Sequence, residues 1–341
     1  MNLARVAGLC FFGIEALRAQ PLIDFPTDNR ALLQDRPRDF YMYVNRDFEG
    51  ARSQPWQGGQ FGFVRGPVRG DGGKISYLQL HEGIDIRPVR RDALGNPSDE
   101  VRATAGGNVV YVSRDSGASN YGRYVVVEHL WDGCPYYTLY AHLSSISVEP
   151  GQPVRQGGVL GLMGFTGAGI DRERAHTHFE VCMMLNRNFE GWHEAYFRKD
   201  PHRHGIYNGL NLVGCDPAAL LLAAHRNPTL KISDFLTGAE PAFKITIRNS
   251  PNFFLVRAYP WLVPTGEIAN PLAWTVTFSR YGVPIRIEAA TISITEPMVT
   301  WVKETGQPYT RITKNLVGGP AGSPRLTEAG LRFARLLTWP D

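Results

Sequence analysis

The chain has 341 residues, of which 43% are hydrophobic and 20% are charged, and its formal net charge at pH 7 is +4. A chain of this length and apolar content can bury a core and accommodate two domains. Mild basicity suits an anionic polymer such as cell wall at least as well as nucleic acid, and no lysine- or arginine-rich run with interleaved aromatic residues occurs, so a nucleic-acid partner is not expected.

The first twenty residues have the organisation of an export signal. Arg5 supplies a short positive region, residues 6–14 are apolar, and Leu17-Arg18-Ala19 is an acceptable cleavage site, although Glu15 interrupts the pattern. An amphipathic helix or a misassigned start is the alternative. We predict a signal peptide at residues 1–20 and a secreted protein of the periplasm or cell envelope. No other stretch approaches the ~20 apolar residues that a membrane helix needs, so no stable membrane span is expected.

Residues 60–200 are predicted to form a β-rich domain, preceded by a lead segment at residues 21–59. A turn such as Glu149-Pro150-Gly151-Gln152 joins neighbouring strands and indicates an antiparallel sheet or sandwich. The polar excursion at residues 88–100 is predicted to be a surface loop. Short runs rich in Val, Ile and Tyr recur between glycine-rich breaks, at residues 107–113, 123–129, 136–143, 158–163 and 176–184.

Beyond residue 200 the pattern is mixed. Asp216 and Pro217 precede an alanine- and leucine-rich run, which predicts a capped helix within a helical connector at residues 201–231. Residues 232–341 combine a strand-like alternation at residues 291–295 with a terminal helix, and we predict a smaller α+β accessory domain of unknown role. The terminal helix would place four apolar residues on one face: Ala329, Phe333, Leu336 and Leu337.

Two short segments carry residues with metal-ligand chemistry. In LHEGIDIRP, a strand beginning near Gly83 would turn its isoleucines into the core and Asp85 to the opposite face. In AHTHFEV, His176 and His178 share one face of a strand. Burying two neighbouring imidazoles in a core costs free energy. Their pairing is explained if both converge on a metal or a substrate.

The donor set suits zinc. A catalytic zinc site uses three protein ligands from histidine and carboxylate and leaves the fourth position to water. Two histidines and Asp85 supply such a set, and zinc would lower the water pKa toward ~7 and polarise the scissile carbonyl. The remaining histidine of the pair, together with His142 in LYAHLSS, suits proton transfer and oxyanion stabilisation. Spacing alone does not choose between His176 and His178 as the ligand.

A competing interpretation takes residues 81–85 as HExxD, a variant of the helical HExxH motif in which Glu82 is the general base. That motif requires a helix. Gly83, the β-branched residues beside it and Pro88 all disfavour one. We therefore predict that Glu82 is a loop residue or supports the site from behind its ligands.

Four segments in order, HEGID, YAHLSS, VEPGQPVRQGGVLGLMGFTGAG and HTHFEV, resemble the lysostaphin-type zinc metallopeptidases, the glycyl-glycine endopeptidase family that cuts cell-wall peptides. The resemblance covers about residues 60–190. It implies one Zn²⁺ per chain, held by His81, Asp85 and His178, and it implies that His142 and His176 assist catalysis. All five positions hold the residue types that the resemblance requires. The loop at residues 88–100 is longer than expected after this motif, which leaves the cleavage specificity open.

The other histidines need no catalytic role. His129 ends a predicted strand and is interpreted as structural. His202 and His204 repeat the two-residue spacing, but Pro201 and polar surroundings favour a solvated loop over a second metal site. The four cysteines form no CxxC pair, so cysteine does not supply the metal site.

Three functions from different classes were weighed. The favoured one is a zinc metalloendopeptidase, a hydrolase acting on peptidoglycan cross-link or stem peptides or on another peptide substrate. A lipoyl- or biotinyl-type carrier needs a lysine at a hairpin tip, and no lysine occurs between Lys74 and Lys199, which excludes it. The alternative is a non-catalytic module of the same fold that binds cell wall or regulates a hydrolase, but such a module would be expected to have lost a ligand or a catalytic histidine. The sequence makes no prediction of the oligomeric state.

Overall fold

The structure is a computed structural model that describes residues 21–200, 204–251, 253–266 and 270–340. The predicted signal peptide, Cys10 and His202 therefore lie outside the described residues. The strands are β1 (Gly62–Arg69), β2 (Ile75–His81), β3 (Ile84–Ile86), β4 (Glu100–Arg102), β5 (Gly107–Ser113), β6 (Tyr124–Trp131), β7 (Cys134–Ala141), β8 (Ser145–Ile146), β9 (Pro153–Val154), β10 (Val159–Leu162), β11 (Thr177–Met184), β12 (Leu212–Cys215), β13 (Pro241–Arg248), β14 (Ala273–Ser279), β15 (Pro284–Ala290), β16 (Met298–Val302), β17 (Val317–Gly318) and β18 (Arg325–Leu326). The α-helices are α1 (Pro37–Phe40), α2 (Phe189–Phe197), α3 (Pro217–Arg226), α4 (Ile232–Thr237), α5 (Phe254–Ala258), α6 (Tyr309–Ile312) and α7 (Glu328–Leu337).

A seven-stranded antiparallel sheet is formed within residues 84–215. Its strand order is β12-β11-β7-β6-β5-β9, and β3 pairs with β11. One edge of β11 is shared, because β3 pairs with residues 177–179 and β12 with residues 181–184, while β7 lies along the other edge. The predicted mainly β, antiparallel fold is confirmed.

The register of this sheet determines where the polar residues meet. His178 lies opposite Asp85 on one side and opposite Ala141 on the other. Ile84 and Ile86 are fully buried, as the alternation predicted, so Asp85 points away from them. Because His142 follows Ala141 directly, the end of β7 brings a third polar side chain to the same edge.

Smaller sheets flank this one. β1 and β2 form an antiparallel hairpin that ends on His81. β4, β10 and β8 form a three-stranded sheet, and the segment between Pro88 and β4 is a loop, as predicted, with a single isolated bridge between Arg91 and Pro97.

The C-terminal part combines sheet and helix, as predicted. A four-stranded antiparallel sheet of order β15-β14-β13-β16 packs against α7. Its buried residues join one hydrophobic cluster with those of the seven-stranded sheet, and the side-chain amide of Asn186 donates to the carbonyl oxygen of Leu336 at 2.7 Å. The domain boundaries that we drew at residues 200 and 231 remain predictions.

One local expectation was wrong. Residues 291–295 are not a strand, since the alternating isoleucines there find no sheet face to cover and Ile292 stays 48% exposed. Helix α7 packs closely at Gly330, where a β-carbon would overlap the carbonyl oxygen of Leu316. By contrast, α3 begins as expected, with the Asp216 carboxylate accepting from the backbone N–H groups of Ala218 and Ala219.

Among the described residues, no helix has the length and apolar character that crossing a membrane requires. The cysteines that the structure describes, Cys134, Cys182 and Cys215, are buried free thiols.

His129 is buried inside the sheet. Its Nδ1 donates to the carbonyl oxygen of Gly106 at 2.8 Å and its Nε2 lies 2.7 Å from the hydroxyl oxygen of Thr138. Burial lowers the pKa of His129 from 6.5 to about 4, so the ring is neutral in the folded protein at neutral pH. The structural interpretation of this histidine fits these contacts.

His129 should make the folded protein sensitive to acid. Between pH 6.5 and about pH 4 the unfolded chain binds a proton at this ring that the folded chain does not. The stability contributed by the neutral ring is therefore fully present above pH 6.5 and is lost as the pH falls, by up to about 3 kcal/mol. Urea unfolding of the wild type and of His129→Gln at pH 7 and pH 4.5 measures this contribution. The gap in unfolding free energy between the two proteins should narrow at the lower pH, and a gap independent of pH would contradict the assignment.

Candidate metal centre

Three ligand atoms converge where β2, β3 and β11 meet. His81 Nε2 lies 3.0 Å from Asp85 Oδ1 and 3.0 Å from His178 Nδ1, and His178 Nδ1 lies 3.1 Å from Asp85 Oδ1. All three side chains are buried, and they are the group within the described part of the chain whose ligand atoms can hold a metal ion. The sequence predicted the same three residues.

The donor set and its spacing fit a zinc ion. Zinc accepts imidazole nitrogen and carboxylate oxygen at about 2 Å in a tetrahedron, which places neighbouring ligand atoms roughly 3.3 Å apart. The three separations are close to that value. Calcium and magnesium prefer all-oxygen sites, so two imidazoles disfavour them.

Hydrogen bonds from the protein orient both ligand histidines. His81 Nδ1 donates to the carbonyl oxygen of Gln60 at 2.7 Å, which leaves Nε2 for the centre. In His178 the roles of the two ring nitrogens are reversed. Its Nε2 donates to Glu180 at 2.8 Å, and its Nδ1 faces Asp85. A carboxylate behind a ligand histidine is the usual support of a metal site.

Glu180 and Arg65 were missed from the sequence, and both hold ligands. Glu180 is 1% exposed, and the Tyr121 hydroxyl also donates to it, at 2.8 Å. Arg65 on β1 forms an ion pair with Asp85 Oδ2, the carboxylate oxygen that faces away from the histidine nitrogens. Period-2 spacing could have found Glu180, which shares a strand face with His178. Nothing in the sequence links Arg65 to Asp85, which lies twenty residues further along.

The charges of the site interact strongly. Burial by itself would raise the pKa of Asp85, but His176, His81 and Arg65 hold that pKa well below its ordinary value. Burial lowers the pKa of His178, and hydrogen bonds to Asp85 and Glu180 outweigh that effect and raise it to about 9. Metal binding at neutral pH must therefore displace a proton from His178.

His142 and His176 stand beside the three ligand residues. Their ring centroids are 4.7 Å apart, and the ring of His142 lies 5.8 Å from that of His178. His142 Nδ1 donates to the carbonyl oxygen of Thr166 at 2.9 Å, and His176 Nδ1 donates to that of Arg174 at 2.6 Å. In the neutral form, both rings keep the Nε2 lone pair, and both line the same cleft as the ligand residues.

The backbone at His142 is strained. Its φ is +63°, a left-handed conformation that costs a non-glycine residue roughly 1–3 kcal/mol. The turn ends β7 and is held by the backbone N–H of His142, which donates to the carbonyl oxygen of Tyr121 at 2.9 Å. Burial, followed by repulsion from His176 and His178, holds the pKa of His142 well below its ordinary value, so the ring is neutral.

The ligand residues open into a cleft of about 670 Å³. Arg65 and Gln79 of the hairpin line one part of it, and Asn120, Tyr121 and Arg174 line another. Such a volume accommodates a short peptide segment. Among the histidines that the structure describes, His204 packs against Tyr111 and His225 lies on α3 near Asp24, both away from this cleft.

Glu82 is a connecting residue between β2 and β3, as predicted, and not part of a helix. Its carboxylate pairs with Lys314 at 3.3 Å, so the C-terminal part of the chain reaches the rim of the cleft. The HExxD interpretation is wrong, because His81 ends a strand and Asp85 lies in the next one.

Gly83 lets β3 approach β11. A β-carbon at this position would overlap the carbonyl oxygen of Phe179 and would lie 2.9 Å from His178 Cε1. We expect Gly83→Ala to lower the free energy of unfolding by about 1–3 kcal/mol and to weaken zinc binding, since the ring of His178 must move. Urea unfolding and zinc titration measure the two effects. Gly117→Ala is the control, as its β-carbon meets only Asp115 at an ordinary 3.6 Å, and an equal loss in both variants would refute the proposed crowding.

Residues 79–188 match the model described as peptidase family M23. This match supports an M23 peptidase assignment for the segment. The matched segment contains all five predicted site residues, whereas Arg65 lies before this segment.

Curated relatives match this chain over a similar length. The lipoprotein NlpD/LppB homolog of Pseudomonas aeruginosa is 36% identical over 102 residues, which cover 30% of this chain and 29% of that relative. The peptidoglycan DD-endopeptidase ShyB of Vibrio cholerae is 38% identical over 107 residues, covering 31% and 21%. The cell division protein DipM of Caulobacter vibrioides is 34% identical over 113 residues, covering 33% and 16%. The matched part thus spans less than a third of each of these relatives.

Among solved structures, the catalytic domain of lysostaphin from Staphylococcus simulans is 21% identical, with a TM-score of 0.29, and the match covers 50% of this chain and 99% of that domain. A zinc containing peptidase from Vibrio cholerae is 29% identical, with a TM-score of 0.26, covering 42% and 36%.

Proposed function

We propose that this chain is a zinc-dependent metalloendopeptidase that hydrolyses peptide bonds in peptidoglycan cross-links or stem peptides. One observation carries the proposal. Two nitrogen ligand atoms and one oxygen ligand atom converge at a cleft, and two further histidines line the same cleft, each oriented by a hydrogen bond at Nδ1. The M23 match and the DD-endopeptidase relative support the reaction class and the polymer.

His81, Asp85 and His178 would hold the metal. When bound, zinc supplies a Lewis acid that polarises the scissile carbonyl and lowers the pKa of water toward about 7. Arg65 keeps one oxygen of Asp85 occupied, so that the other faces the two imidazoles. Glu180 holds the ring of His178 in the tautomer that presents Nδ1 to the centre.

His142 and His176 would move the protons. Each ring is oriented by a carbonyl oxygen at Nδ1, so a proton taken from the attacking water goes to Nε2. A ring that has taken up this proton becomes a donor. It can then stabilise the developing oxyanion or protonate the leaving amine. Burial keeps both rings away from bulk water and preserves their orientation.

Metal analysis and product mapping test this function together. Purified protein should contain about one zinc per chain and should release fragments from isolated sacculi whose mass spectra reveal new amino termini. A chelator should stop the release, and added zinc should restore it. The Asp85→Ala variant is the matched control. Protein that holds no zinc and releases no fragments would instead support the alternative, a non-catalytic module that binds cell wall or regulates a hydrolase.

A further inference from the structure

The carboxylates of the cleft are all engaged. Asp85 pairs with Arg65, and Glu180 accepts from His178 and Tyr121. Glu82 pairs with Lys314 at 3.3 Å. Each of the three carboxylates that line the cleft in the described structure therefore already has a hydrogen-bond or ion-pair partner.

Arg174 is a cation that lines the same cleft. It is half-buried in the wall of the cleft, and within the described part of the chain its guanidinium has no carboxylate within 4.0 Å. Within the described residues, its side chain makes two long hydrogen bonds, to the carbonyl oxygens of Tyr43 at 3.3 Å and Gly169 at 3.4 Å. The nearby carboxylate of Asp171 accepts from the backbone N–H of Arg174 and not from its side chain.

The position of Arg174 is tied to the candidate catalytic histidine. Arg174 lies two residues before His176, and its carbonyl oxygen accepts from His176 Nδ1 at 2.6 Å. Arg174 and His176 line the same cleft, so a peptide bound at the histidine can also contact the guanidinium.

The long loop at residues 88–100 holds this segment. Arg91 donates to the carbonyl oxygens of Arg172 at 2.8 Å and Glu173 at 3.0 Å, and Arg172 donates back to that of Leu94 at 2.9 Å. Since these bonds restrain the two residues before Arg174, the loop restrains the wall of the cleft although it contributes no ligand.

We propose that Arg174 recognises a carboxylate on the substrate peptide beside the scissile bond, and so selects peptides that carry a free carboxylate there. The inference rests on the proposed function. A planar guanidinium binds carboxylate through two parallel N–H···O bonds, and its two weak carbonyl contacts can be exchanged for them.

Cross-linked muropeptide dimers test this specificity in two forms, with free carboxylates and with the same carboxylates converted to carboxamides. The wild type should have a kcat/KM for the free form about tenfold to a hundredfold higher, the range expected for a charge-assisted hydrogen bond. Arg174→Gln should remove this preference by losing activity on the free form alone, and Arg174→Lys should keep part of it. Arg155→Gln is the matched control, because Arg155 is exposed, lies outside the cleft and should leave the preference unchanged.

Binding to chelator-treated protein supplies a second measurement that does not require hydrolysis. The free form should bind more tightly than the amidated form, and Arg174→Gln should abolish the difference. If the wild type cleaves both forms equally and binds both equally, Arg174 does not recognise a carboxylate, while the proposed peptidase function stands. If neither form is cleaved but the binding difference depends on Arg174, the recognition role stands and the peptidase function fails.

Discussion

His178→Ala is expected to abolish zinc binding and hydrolysis together, whereas His176→Ala is expected to retain zinc and lose hydrolysis alone. The two residues lie two positions apart on the same strand face, but only His178 places a ring nitrogen about 3 Å from the ligand atoms of both His81 and Asp85. His176 Nε2 lies 3.3 Å from Asp85 and is not part of the group that can hold a metal ion. Loss of a proton carrier costs about 10²–10⁴-fold in kcat.

Zinc content and peptide release from sacculi, measured on the same preparations, separate the two variants. Asp85→Ala should behave like His178→Ala, and His142→Ala should behave like His176→Ala. The proposed roles of the two histidines would be exchanged if His176→Ala lost the metal and His178→Ala kept it.

The second large effect is expected from Glu180→Gln. Glu180 accepts from His178 Nε2 and from the Tyr121 hydroxyl, and burial leaves it no water with which to replace them. A neutral amide is a weaker acceptor, so the ring of His178 becomes a weaker base and a weaker ligand. Removing such a supporting carboxylate typically lowers metal affinity 10–100-fold.

The loss of affinity should depend on pH. Glu180 also helps to raise the pKa of His178 to about 9, so zinc competes with a proton in the wild type at neutral pH. In Glu180→Gln, the ring of His178 binds both zinc and the competing proton more weakly. The affinity ratio between wild type and variant should therefore be larger above pH 9 than at pH 7.

Competition with a chelating dye across this pH range measures the ratio. Glu128→Gln is the matched control, because Glu128 also accepts from a tyrosine hydroxyl, that of Tyr137 at 2.8 Å, but does not line the cleft. Unchanged zinc affinity in Glu180→Gln would show that the carboxylate does not support His178.

Much of the sheet was predictable because its signals are local. Alternation of apolar and polar residues depends only on strand geometry, so it located the strand of residues 107–113 at its observed bounds and turned Ile84 and Ile86 inward. The same reasoning failed at residues 291–295, where alternation without a partner strand does not make a sheet.

The sequence predicted which residues form the candidate site better than it predicted the role of each residue. His81, Asp85, His142, His176 and His178 were all proposed from the sequence, through their ligand chemistry and the resemblance to a peptidase family. Strand spacing alone could not choose between His176 and His178. The structure favours His178 because β3 pairs directly opposite it.

The sequence by itself determined the antiparallel β architecture, the residues that can bind a metal and the long loop after the first ligand strand. The tertiary structure alone decided which groups stand around those residues. Arg65 reaches Asp85 from a separate hairpin, and Arg91 restrains the wall that carries Arg174 from about eighty residues away. Such contacts depend on how hairpins and loops pack across the sheet, and no local spacing encodes that packing.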